Sequence, residues 1–224
     1  MSLSTLLRWS GLAALVGNAL LAVVSVAFVF AFPQDVVQSV AVTSNTWLVL
    51  NVLTLIAYLL CLVGLVGLYA RQAEKAGILG LVAFLLTFLC IAPRFAWYWI
   101  ETFVFPILAQ AAPRLLDNPE PVPPALTVFG TVDQISVLLL LVGVLLFGVA
   151  SLRARVLPRW AAVLVLVGAV VDLVMTFVGV DFPFGAVVAG PGLAWMGYAV
   201  WAHKQAPSAS LAPVTAGGPS LASH

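Results

Sequence analysis

The stretch "GLYARQAEKAGILG", residues 67–80, decides how this chain is read. Arg71, Glu74 and Lys75 crowd into it between two apolar runs, 47–70 and 77–100. Each run reaches the ~20 residues that a helix needs to cross a bilayer. A charged break between two such runs predicts a helical hairpin that turns at a watery surface. Four more apolar runs lie outward from it, at 9–31, 126–150, 160–180 and 184–202. The first exceeds the ~7–15 residues of a signal-peptide core and is read as a retained helix. Gly190, Pro191 and Gly192 interrupt the last and make it the weakest span. The predicted fold is therefore an all-α, polytopic membrane helix bundle of six transmembrane helices over 1–203. The tail 204–224 is small, polar and rich in Pro and Gly, which predicts a disordered cytoplasmic extension.

Composition agrees with lipid as the solvent. Of 224 residues, 63% are hydrophobic and 8% charged, against about a quarter charged in soluble domains. A net charge of +1 supplies no basic face for nucleic acid. Cys61 and Cys90 both fall inside apolar runs, so a secreted disulfide framework is excluded. Two histidines, one of them the last residue, argue against bis-histidine haem or a histidine zinc site, and no cofactor or metal is expected. Walker, G-x-S-x-G, H-E-x-x-H and C-x-x-C motifs are absent from the sequence.

Six spans also sort the charges. Arg8, Arg71, Lys75, Arg153, Arg155, Arg159 and Lys204 fall on one side. Arg114 falls on the other with Asp35, Asp117, Glu120 and Asp181. The positive-inside rule then predicts both termini in the cytoplasm of a bacterial cell membrane. Trp9, Trp47, Trp97, Trp99, Trp160 and Trp201 fall near span ends, as an interfacial belt would place them. The connection 101–125 is expected to stay helical to Ala112, with a bend at Pro106, and then to run extended through "DNPEPVPP".

The costly residues are the polar ones within the spans. In "CIAPRFAWYWIETF", residues 90–103, Arg94 and Glu101 lie within about 20° on a helical wheel, with Trp97 and Tyr98 flanking the seam. Arg94 comes about 25 Å above the inner start of its helix, near enough to the interface to snorkel. Asp133 reaches a similar height on the next helix and is the natural ion-pair partner. Glu101 is about 10 Å further out and reads as an interfacial carboxylate. Asp172 falls near the midplane, where an aspartate costs about 2.5–3.5 kcal/mol on insertion scales. Gly168, Thr176 and Gly179 share its face and predict a close helix neighbour. Helix 1 carries a stripe of Gly11, Ala14, Asn18, Ala22 and Ser25, read as a packing seam. Helix 2 carries Asn51, Thr54, Tyr58 and Cys61, read as interhelical glue or as a cavity wall.

The stretches "GLYARQAEKAGILGLVAFLLTFL", "FVFPILAQAAPRLLD" and "FGVASLRARVLPRWAAVLVLVGA" resemble a widespread group of uncharacterised bacterial six-helix integral membrane proteins. The resemblance implies the fold and topology. It brings no activity and no residue roles.

Three function classes follow. The first is a polar cleft within the bundle that binds or transports a small amphiphile, lipid or proton-coupled solute. Its binding residues would be Arg94, Asp133, Asp172, Tyr98, Asn51 and Tyr58. The second is a membrane-embedded acid–base enzyme on a prenyl or lipid substrate, comparable to membrane terpene cyclases. Asp172 would be the acid, Asp133 or Glu101 a second carboxyl, and Trp97, Tyr98 and Trp99 would stabilise a carbocation. The third is a non-catalytic membrane subunit or regulator. The expected partners are the bilayer and a small amphiphilic ligand, with an oligomer of the chain left open.

Overall fold

A computed structural model describes residues 3–33, 36–117, 122–178 and 184–202, all helix, turn or loop. Asp35, Glu120, Gly179, Asp181, Lys204, half of the 117–124 strip and the predicted disordered tail lie outside the described residues. The long helices are α1 (Leu3–Ala31), α3 (Asn45–Phe103), α6 (Pro124–Ala154), α7 (Arg159–Val178) and α8 (Phe184–Ala202). Three short ones, α2 (Gln38–Ala41), α4 (Phe105–Ala111) and α5 (Arg114–Asp117), join them at one end.

Four helices are long and apolar enough to cross a membrane: Ser4–Ala31, Asn45–Phe103, Thr127–Ala154 and Arg159–Val178. The apolar stretch Ala186–Ala202 is shorter. Many of their large apolar side chains face outward. Phe30 is 82% exposed and Phe177 78%, a surface suited to lipid tails rather than water.

The 59-residue α3 is two antiparallel limbs. Gly77 breaks it with φ 57° and ψ −152°, a conformation open in practice only to glycine. Tyr69 stacks on Phe84 at 4.5 Å, and Tyr58 meets Tyr98 at 5.4 Å. At the far end the Trp47 indole N–H donates to the Glu101 carbonyl at 3.1 Å. These contacts hold the two limbs together over their whole length. The hairpin read from residues 67–80 is thus a bend at one glycine, with helix continuing through Arg71, Glu74 and Lys75 on one side of it. Ser44 starts the first limb, its hydroxyl accepting from the Trp47 backbone N–H at 3.1 Å.

A second turn joins α6 to α7. Arg155 closes α6 in the left-handed conformation, with its N–H on the Ser151 carbonyl. Pro158 follows at the start of α7, where a missing N–H costs no helical bond.

Small residues bring the helices together. A side chain on Gly64 would collide with the backbone of Ala14, and one on Gly11 with Trp201 and Gly197. The α1 stripe is thus the packing seam expected, wedged between α3 and α8. Asn18 spends its amide on the Ala14 carbonyl of its own helix at 2.8 Å. Gly190 and Gly192 do not interrupt α8, which runs continuously through Pro191. Gly190 packs on α1 at Asn18 and Ala22, and Gly192 on α7 at Ala161 and Leu164. The missing side chains serve two opposite faces, and the pattern read as a break is a close-packing device.

These contacts fix which ends go together. Ser10 meets Gly67, Gly11 meets Trp201, and Ala76 packs with Ala150 and Ala154. The start of α1, the Gly77 bend, the α6–α7 turn and the end of α8 therefore share one end of the bundle. Arg8, Arg71, Lys75, Arg153, Arg155 and Arg159 all lie there or within about two turns of it. The opposite end is capped by α2, α4 and α5, tied by Asp117, which accepts from the Ser39 N–H at 2.8 Å and its hydroxyl at 2.6 Å. The expected bend at Pro106 is present: α3 stops at Phe103, and Pro106 lies in the first turn of α4.

Candidate functional site

The five long helices line a cavity of about 1260 Å³ that is partly open to the outside. Trp47 and Leu68 both line it from the first limb of α3. Their separation along that helix is a rise of about 30 Å, so the cavity runs along the bundle. Its walls change character with depth. Toward the basic end they are Leu65, Leu68, Leu140, Leu141, Val144 and Phe147. Toward the capped end they carry Arg94, Asp133, Glu101, Trp97, Tyr58 and Tyr98.

Arg94 and Asp133 meet as the matched heights predict. One guanidinium nitrogen lies 2.7 Å and 2.8 Å from the two carboxylate oxygens. Both side chains are mostly buried, at 16% and 15% exposure. The guanidinium carbon also lies 5.2 Å from the Tyr98 ring centroid, within cation–π range. Arg94 therefore points into the cavity and is held on two sides, rather than reaching out to headgroups. Pro93 precedes it within the helix. Having no N–H, it cannot bond the Leu89 carbonyl, a break that membrane helices tolerate beside a polar cavity.

Glu101 differs from its sequence reading as a simple interfacial carboxylate. It is half-buried and lines the cavity. Its Oε1 accepts from the Trp97 indole N–H at 2.7 Å, and its carbonyl accepts from Trp47. Trp47 in turn makes edge contacts with Phe28 at 5.6 Å and Phe32 at 5.3 Å. Trp97 stacks on Phe129 at 4.9 Å. Two of the six tryptophans assigned to an interfacial belt, Trp47 and Trp97, thus line the cavity. Trp9, Trp99, Trp160 and Trp201 are exposed. A tryptophan at a span end satisfies either role, and only its neighbours decide which.

Asp172 lines the same cavity from α7, part-exposed within it, with Thr176 and Met175 beside it. Tyr58, Thr54 and Cys61 line it from the first limb of α3. Asn51 does not. It is fully buried, its amide donates to the Trp47 carbonyl at 3.0 Å, and its Oδ1 meets no donor. The polar stripe of helix 2 therefore divides: Asn51 faces the packed interior, while Thr54, Tyr58 and Cys61 face the cavity. Trp99 leaves the aromatic trio for a related reason. Adjacent helical residues turn by 100°, so three in a row cannot share one face. Trp97 and Tyr98 face inward, and Trp99 is 48% exposed.

Among the described residues no three His, Cys, Asp or Glu side chains gather as a metal-ligand set. What the cavity offers is an apolar part toward the basic end, one ion pair, two further carboxyls and several aromatic rings toward the capped end. No protein-family model, curated protein or solved structure matches the chain.

Proposed function

We propose that this protein is a six-span protein of the bacterial cytoplasmic membrane whose cavity binds a small amphiphile, for storage, presentation or transport. One observation carries the reading: a single cavity of about 1260 Å³ is walled mainly by apolar side chains toward the basic end and by charged, polar and aromatic ones toward the capped end. That division matches a molecule with a tail and a head. Ligand sites are mostly apolar with a few placed polar groups, and this volume exceeds what a single headgroup needs. A water-soluble solute would leave the leucine-lined part of the cavity unmatched.

Six spans with both termini inside are part of the proposal. The bend of α3 at Gly77 and the seating of α8 along α1 and α7 support the count. The gathering of six cations toward one end of the bundle supports the orientation.

An acid–base enzyme is the second reading, favoured by three carboxyls in one cavity. Asp133 gives both oxygens to Arg94, and Glu101 gives one to Trp97. Those bonds suit a binding wall better than a pair of proton carriers.

The test is extraction of the purified protein followed by mass spectrometry of everything released. The proposal predicts an amphiphile at near-stoichiometric amount and unchanged on incubation. A product that accumulates on incubation would favour the enzyme. Bulk membrane lipid alone, in the proportions of the host membrane, would contradict the binding reading.

A further inference from the structure

The cavity's charges are unequal. Its lining holds one guanidinium, Arg94, and three carboxyls, Glu101, Asp133 and Asp172. The guanidinium is already engaged by both Asp133 oxygens and by the Tyr98 ring. An anionic headgroup at Arg94 would share the cavity with three carboxyls, one of them already bonded to the same guanidinium. A cationic headgroup breaks nothing. Trp97 occupies one oxygen of Glu101, so a carboxylate oxygen stands on the wall beside the aromatic rings.

Those rings are arranged as walls. Phe28 and Phe32 meet Trp47 at interplanar angles of 85° and 75°. These edge-on contacts join the three rings into one cluster on the cavity wall. The Trp47 indole donates to the Glu101 backbone carbonyl, which ties this cluster to the helix turn that carries the carboxyl. Phe28, Phe32, Trp47, Trp97 and Glu101 all line the cavity. Ring faces attract cations, most strongly where water is excluded, and aromatic cages with a nearby carboxylate suit ammonium groups.

We infer that the cavity selects amphiphiles with a cationic head, an alkylammonium or quaternary ammonium group seated between Glu101 and the rings of Phe28, Phe32 and Trp47. The tail then runs past Tyr58 toward Leu65 and Leu140. This inference rests on the amphiphile reading above and adds the sign of the head.

The test uses the full chain in a non-ionic amphipol free of choline lipids. Three probes share a twelve-carbon tail: dodecyltrimethylammonium, laurate and dodecanol. Binding is read by calorimetry and by quenching of tryptophan fluorescence. The ammonium probe should bind saturably and at least tenfold more tightly than the other two. Glu101→Gln keeps an acceptor for Trp97 and should weaken the ammonium probe about tenfold, with little effect on dodecanol. Phe32→Leu touches none of these hydrogen bonds and should weaken the ammonium probe about three- to tenfold. It carries the test if Glu101→Gln does not fold. Equal or tighter binding of laurate or dodecanol would overturn the charge selection and leave the amphiphile site standing. Full ammonium affinity in both variants would overturn the placement of the head. Binding of none of the three would overturn both readings.

Discussion

Arg94 shows how much a single residue's height in a helix can reveal. Counting 1.5 Å per residue from two separate helix ends brought it level with Asp133, and the two side chains meet at 2.7 Å. Removing one partner leaves a buried charge behind. Arg94→Ala should therefore cost about 3 kcal/mol, and adding Asp133→Ala should recover part of that loss. Thermal unfolding of the four proteins in detergent checks this, and strictly additive losses would mean the pair is not coupled. Asn51 marks where counting fails. Its wheel position is shared with cavity-lining Tyr58, but Asn51 is fully buried and does not line the cavity. Its Oδ1 is buried without a donor, and the Trp47 carbonyl keeps its helical N–H if the amide goes. Asn51→Leu should thus change stability by less than about 1 kcal/mol, in either direction, and should leave ligand binding unchanged. A large loss of binding affinity in that variant would put Asn51 back in the site.

Among the elements, α3 depends on one glycine. Nothing lies within 4 Å of where a Gly77 side chain would sit, so a substitution there meets no clash. Only the backbone conformation resists it. Gly77→Ala should lower stability by about 1–3 kcal/mol, whereas Gly130→Ala, also without close neighbours, should be neutral or stabilising within α6. Comparing their melting temperatures separates the bend from general glycine effects. The sequence announced this hairpin through its charges, since lipid cannot accommodate them. It did not reveal that the helix passes almost unbroken through those charges. It also misled at Gly190–Gly192, because glycine and proline mark both a broken helix and a closely packed one. Which of the two occurs depends on what stands opposite, here Ala22 and Leu164, and a single chain read alone does not show that.

The whole molecule was legible as an all-α bundle with helices long and apolar enough to cross a membrane, less so as a cavity. Apolar runs and cation bias depend on solvent, which acts on every residue alike. The cavity depends on gaps between helices, and those follow from side-chain shapes that no periodicity encodes. The aromatic walls around Glu101 escaped notice because Trp47 fits an interfacial belt equally well. Orientation is checked with an impermeant thiol reagent on intact cells, in a background where Cys61 and Cys90 are alanine. Cysteines at Lys75 and Arg155 should be protected until the cells are opened, and those at Ser39 and Arg114 should label at once. The reverse pattern would invert the proposed topology. Whether an amphiphile is held inside the bundle is decided by photocrosslinking. A dodecylamine probe with a diazirine in its tail is activated on the protein and the labelled peptides are mapped. Saturable labelling of Leu65, Leu140 and Val144 is expected, competed by unlabelled dodecyltrimethylammonium. Labelling confined to outward residues such as Phe30 and Phe177, rising linearly with probe and indifferent to competitor, would contradict it.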